Sequence, residues 1–241
     1  MSTGEHLSKQ YDQELEGLRA RILHMGGVVE AQLQAAIEGY ERPDVKLADE
    51  AIEADRDVNE EEVSLDREVV NMIVRRQPTA GDLRLIIGVA RTGTELERIG
   101  DEATKIARAA KWLYDKQRSV RTPRLRDIHS SAQAAATMLR GALDAFARLD
   151  AAAAAAIIED DRGVDQQFQS ILRQLITFMM EDPRTISPSL DAVWVAKAIE
   201  RIGDHAKNIA EHVIFVAQGV DVRHATREQV ARAVSMESPT P

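Results

Sequence analysis

Two short acidic stretches recur in this chain of 241 residues. LERIGDEATKIA runs from Leu96 to Ala107, and IERIGDHAKNIA runs from Ile199 to Ala210, an offset of 103 positions. Each sets a glutamate four residues before an aspartate, Glu97 with Asp101 and Glu200 with Asp204. Carboxylates at i and i+4 lie on one face of a helix and repel each other. Upstream, IEADRDVN (Ile52 to Asn59) matches IEDDRGVD (Ile158 to Asp165), so that Asp55 answers to Asp161 and Asn59 to Asp165. Glu62 and Asp66 extend the earlier block, and Phe168 and Leu172 stand at their places in the later one.

The helical phase gives these acids their interest. At ~100° per residue, Asp101 falls within ~40° of Glu97, on the side that carries Ile86, Val89, Ala90 and Gly100. Glu95, Arg98 and Glu102 fall on the opposite, wet side. Asp204 stands the same way to Glu200, beside Ala192, Val193, Ala196 and Gly203. Asp55, Asn59, Glu62 and Asp66 share a stripe with Ala48, Ala51, Val58 and Val69, while Asp161 and Asp165 share one with Leu175 and Met179. Carboxylates drawn toward an apolar side require an opposite charge, a shared proton or a bound cation. Oxygen-only ligands on facing helices suit magnesium, manganese, calcium or iron. The competing reading is a buried arginine–carboxylate network, for which Arg56, Arg67, Arg98 and Arg201 are available. A metal-storage or dinuclear oxidase bundle is a further alternative, but such bundles add Glu-x-x-His motifs, and this sequence has none.

The elements that carry these residues are long helices. Alanine, leucine, glutamate and arginine abound, and only 7 prolines and 13 glycines interrupt. The order helix, acidic block, proline turn and ERIGD helix occurs twice. Helices are predicted near 8–40, 44–76 and 80–115, then near 123–148, 151–181 and 188–218. Breaks fall at ERPD (Glu41 to Asp44), Pro78, RTP (Arg121 to Pro123), Asp150 and DPRTISP (Asp182 to Pro188). The expectation is an all-α fold of two pseudo-symmetric antiparallel three-helix bundles, residues 1–118 and 119–222, followed by a polar, disordered tail over 223–241. Gly100 and Gly203, each inside a helix, mark places where a neighbouring helix passes close, and MGG (Met25 to Gly27) suits the same role.

Composition excludes several function classes. A formal charge of −9 disfavours nucleic acid as a partner. The absence of cysteine rules out disulfides and thiolate metal sites and suits a reducing cytoplasm. The N-terminal stretch lacks the apolar run of a secretory signal, and no window is apolar enough for direct membrane insertion. No phosphate loop and no catalytic triad stand out, so no enzyme activity is expected. The histidines read mostly as surface residues, and Trp112 and Trp194 as helix-packing ones.

With the doubled ERIGD, the blocks MGGVVE and RQLITFMMEDPRTIS, and the turn RRQPTAGDLR in view, the chain resembles the PhoU family over nearly its whole length. The resemblance implies two three-helix bundles in one chain, paired into a homodimer. It implies metal, as iron clusters or as magnesium, manganese or zinc, held by Glu/Asp-x-x-x-Asp motifs. Carried over, these are Glu97 with Asp101, Glu200 with Asp204, and Glu62 with Asp66, preceded by Asp55 and Asn59. The second copy departs at Phe168 and Leu172, leaving Asp161 with Asp165 and making the two sites unequal. The resemblance also implies a cytoplasmic regulator. It couples the ATPase subunit of a phosphate ABC transporter to a sensor histidine kinase and represses the phosphate-starvation response.

Overall fold

A computed structural model describes residues 3–42, 44–116 and 126–235. Six long helices account for most of it: α1 (Thr3–Glu41), α2 (Val45–Arg76), α3 (Ala80–Lys116), α4 (Arg126–Arg148), α5 (Ala151–Glu181) and α6 (Ile186–Gln218). A short α7 (Arg227–Ser235) follows. Among the described residues there is no strand.

Local chemistry sets the helix ends. Asp44 caps α2, its carboxylate accepting from the backbone N–H of Lys46 at 2.9 Å and of Leu47 at 3.4 Å. Gln77 ends that helix in the left-handed region, φ 48°, one residue before Pro78. Asp150 caps α5 through the Ala153 N–H at 2.9 Å. Asp182 ends α5 and caps a single 3₁₀ turn, Pro183–Thr185, whose Thr185 hydroxyl donates to the Phe178 carbonyl at 2.9 Å. Gly219, at φ 72°, closes α6. The expected boundaries hold to within a few residues for α2, α3, α5 and α6. The RTP break and the expected start of the fourth helix lie outside the described residues.

Helices α1, α2 and α3 pack on one another, as do α4, α5 and α6. The two sets join chiefly along α3 and α6, with α1 touching α4. The core is aliphatic and alanine-rich: Leu18, Ile22, Met25, Leu33, Leu65, Ile86, Leu96 and Ile99 on one side, Leu139, Phe146, Ile171, Leu175, Ile202 and Ile209 on the other. Small residues let the helices close. A Cβ on Gly26 would meet Leu143 of α4 at 2.5 Å, and one on Gly88 would strike Val216 of α6. Gly27 faces open space.

Three expectations need correction. The tail is not structureless throughout, because Val230 and Ala233 of α7 are buried against α5 and α6; residues 236–241 lie outside the described ones. Trp194 is not a packing residue: 72% of it is exposed, in line with exposed Leu190 and Ile186 on α6. The surface reading of the histidines holds for three of the five described and fails for two. His24, His129 and His224 are exposed, but His205 and His212 are buried.

Candidate metal centres and the seam between the bundles

The ERIGD helices α3 and α6 each have two buried faces, one toward their own bundle and one toward each other. The second face explains where the helical wheel fails. Glu95 and Glu102, placed by phase on the wet side, are buried in the α3–α6 seam. Glu95 accepts from His205 Nδ1 at 2.7 Å and from Asn208 at 3.1 Å, with Arg98 at 3.4 Å from its other oxygen. Burial pushes its carboxyl up, but these donors outweigh burial and hold it below the usual range. Glu102 accepts from Arg201 at 2.6 Å and Lys105 at 2.9 Å. The ERIGD arginines therefore serve the seam, not the metal candidates, and Arg56 pairs with Glu60 on the surface. The signal available in the sequence was the paired offset: Glu102 and His205 hold the same repeat position and carry complementary chemistry.

The first acid group lies between α2 and α3. Glu97 and Glu62 are half-buried, as are Asp55 and Asn59, while Asp101 and Asp66 are exposed. Asp101 thus sits at the rim of the group, not on the apolar side where its phase placed it. Burial first, then the charges of Asp101, Glu62 and Asp55, raise the Glu97 carboxyl above its ordinary value. Thr94 donates to Glu62 at 3.3 Å. Gln32 of α1, 2% exposed, reaches into the group from behind. Its amide nitrogen approaches Asp55 Oδ1 at 3.5 Å, the Gly100 carbonyl at 3.2 Å and Thr104 Oγ1 at 3.2 Å. Its carbonyl oxygen is buried without a partner, and so is Asn59 Oδ1. A Cβ on Gly100 would meet that Gln32 oxygen at 3.0 Å, so the close approach expected at this glycine is present.

The second acid group lies between α5 and α6. Oxygens of Asp161, Asp165 and Asp204 all lie within 4.8 Å of one another. Asp161 is buried, Asp204 and Glu200 are half-buried and Asp165 is exposed. Asp204 and Asp165 are both raised, by burial first and then by neighbouring carboxylates. Lys207 places its ammonium 2.8 Å from Asp161, and Lys197 pairs with Glu200 while lying 5.4 Å from the centre of the Phe168 ring. Gly203 meets Val164 of α5 at an ordinary 3.4 Å.

The second group fits a hard cation by geometry, with carboxylates from two helices within 4.8 Å of one another; in the first, the carboxylates of α2 and α3 are joined by buried amide oxygens that lack partners. Asp55, Asn59, Glu62, Glu97 and Asp101 are the oxygen donors of the first group and Asp161, Asp165, Glu200 and Asp204 those of the second; exposed Asp66 lies one turn beyond Glu62. Among the described residues, no helix is long and apolar enough to cross a membrane.

Relatives share this layout. The PhoU domain profile matches residues 22–110 and again 128–213. The phosphate-specific transport system accessory protein PhoU homolog of Pseudomonas aeruginosa is 46% identical, covering 92% of this chain and 91% of that one. PhoU of Escherichia coli K12 is 42% identical over 98% and 96% of the two chains. The crystal structure of PhoU from P. aeruginosa superposes with a TM-score of 0.84 at 43% identity, over 87% of this chain and 100% of that one. That of the phosphate transport system regulatory protein PhoU from Streptococcus pneumoniae gives 0.81 at 24% identity, over 88% and 99%, a likeness of fold. With two profile matches, relatives above two-fifths identity along nearly the whole chain and the same all-helical architecture, this chain belongs to the PhoU family.

Proposed function

We propose that this protein is a metal-binding cytoplasmic regulator of phosphate uptake, working by docking and not by catalysis. It joins the ATPase subunit of a phosphate ABC transporter to a sensor histidine kinase and represses the phosphate-starvation response when phosphate is plentiful. The observation that carries this reading is the near full-length likeness to proteins named as phosphate-specific transport accessory proteins. The division into repeats 1–118 and 119–222, and pairing into a homodimer, belong to the same reading.

The acid groups give the scaffold its second property. A bound magnesium, manganese, zinc or iron ion supplies the positive charge that the crowded carboxylates call for. Asp55, Asn59 and Glu62 would hold it from α2 and Glu97 and Asp101 from α3, with Asp66 at the rim. Asp161, Asp165, Glu200 and Asp204 would do so in the second bundle. Ligation from two helices ties each pair together, and fixes the surface offered to a partner.

The test is genetic. In a host deleted for this chain, a phosphate-starvation reporter is expected to be on in high phosphate, to be silenced by the wild-type chain, and to stay on with Glu97→Ala/Asp101→Ala at equal protein level. A reporter that stays silent without the chain contradicts the regulatory reading. A reporter silenced equally by the double variant contradicts the role given to the acids.

A further inference from the structure

The two acid groups differ in more than Phe168 and Leu172. Applying the ERIGD offset, Lys197 falls where the first copy has Thr94, and Lys207 where it has Thr104. These four differences act in one direction, and Asp165 in place of Asn59 acts in the other. Two carboxylates of the first group are replaced by apolar residues in the second, and two hydroxyls by ammonium groups. Phe168, standing for Glu62, provides the ring over which Lys197 lies. Thr94 and Thr104 are instead spent on neutral hydrogen bonds, to Glu62 and from Gln32.

We propose that Lys207 and Lys197 are built-in counter-cations that occupy the second acid group, so that a divalent cation loads the first group in preference. This rests on the reading of both groups as cation sites. The buried Asp161 carboxylate already has an ammonium at 2.8 Å. That ammonium stands at one corner of a group whose three carboxylates gather within 4.8 Å of one another, and it offsets part of their mutual repulsion. A metal ion there must either displace that ammonium or bind beside it against repulsion. The first group has no lysine at the matching positions. The Gln32 amide that reaches it from α1 is neutral, and the oxygen of that amide is buried and unpartnered beside Asp55.

Titration of the full chain with Mn²⁺, reading free ion by electron paramagnetic resonance, tests this. The wild type is expected to show one tight class of site and a second at least about tenfold weaker. Thr94→Lys/Thr104→Lys should abolish the tight class. Lys197→Thr/Lys207→Thr should bring the weak class to within about threefold of the tight one, whereas Lys207→Arg should leave it weak. Helicity by circular dichroism identifies any variant that fails to fold; Glu97→Gln and Glu200→Gln then serve in its place, the first expected to weaken the tight class and the second to leave it unchanged. Two equal classes in the wild type, or a tight class removed by Glu200→Gln and not by Glu97→Gln, overturn the inference while leaving the cation reading intact. No binding by any variant overturns both.

Discussion

The two ERIGD helices carry nearly the same sequence and meet opposite electrostatic problems. In the first copy the acids face one another with the neutral Gln32 amide behind them, and burial with repulsion raises Glu97. In the second, lysines from the same helix sit among the acids. The seam shows a parallel divergence, with a glutamate at 102 and a histidine at 205 in one repeat position. A duplicated helix keeps its packing face, where Ile99 and Ile202 and the paired glycines are fixed by shape. Its polar positions are free to specialise, because each needs only a partner of suitable charge.

The largest contrast lies in the ERIGD arginines. Arg201→Ala leaves buried Glu102 with Lys105 alone and is expected to lower unfolding free energy by about 2–3 kcal/mol. Arg98→Ala leaves Glu95 with His205 and Asn208 and should cost less than about 1 kcal/mol. Urea denaturation of the two variants measures the difference, and equal losses would remove the asymmetry of the seam.

Next comes the counter-cation. Lys207→Met leaves buried Asp161 unpaired and should destabilise the protein by about 2 kcal/mol in the presence of chelator. Added Mn²⁺ should restore most of that loss, as read by the melting temperature. The same substitution at its counterpart, Thr104→Met, removes no counter-cation, so Mn²⁺ should stabilise that variant no more than it stabilises the wild type.

A smaller effect depends on pH. Glu211, whose counterpart in the first copy is Arg108, is pushed up to about 7, by burial above all. The folded state holds this proton where the unfolded state, near the ordinary 4.5, has released it. Its contribution to stability is therefore present below pH 4.5 and lost as pH rises through 7. Neighbouring His212, pushed down to about 4 by burial, acts in the opposite sense: its contribution is lost as pH falls from its ordinary 6.5 through 4. The variant difference separates them. Glu211→Gln is expected to gain about 1–2 kcal/mol on the wild type between pH 4.5 and 7.5, after allowance for partial exposure. A constant difference across that range would contradict the assignment.

The smallest effect is steric. Gly203→Ala meets Val164 at ordinary contact distance and should be neutral or stabilise by up to about 1 kcal/mol through helix propensity. Gly100→Ala meets a Gln32 side chain held by several hydrogen bonds and should destabilise by about 1 kcal/mol. Thermal melts in chelator check the signs.

Much of this architecture is legible in the residues. Proline turns and capping aspartates such as Asp44 and Asp150 fix the helix ends, and the repeat fixes the three-plus-three order. Of the acids singled out by spacing, Asp161, Asp165 and Asp204 come within 4.8 Å of one another, while Asp66 and Asp101 are exposed. The seam is not legible by phase, because a helical wheel assumes one buried face and α3 and α6 have two. Glu95 and Glu102 therefore fall on the side that phase makes wet and yet are buried, and Trp194, on the face left over, is exposed. The role of Lys207 was hidden for a different reason: its partner Asp161 lies 46 positions away, and only packing of α5 on α6 joins them. The short helix α7 rests on Val230, Ala233 and half-buried Val234 within a polar stretch, too little apolar surface to give a clear period.

The most direct measurement is anomalous diffraction at the manganese edge from crystals of the wild-type chain grown with limiting Mn²⁺. A peak among Asp55, Glu62, Glu97 and Asp101, stronger than any among Asp161, Asp165 and Asp204, is the predicted result. Fully ordered carboxylates with no peak at either group, at saturating Mn²⁺, would contradict the reading of these acids as cation ligands.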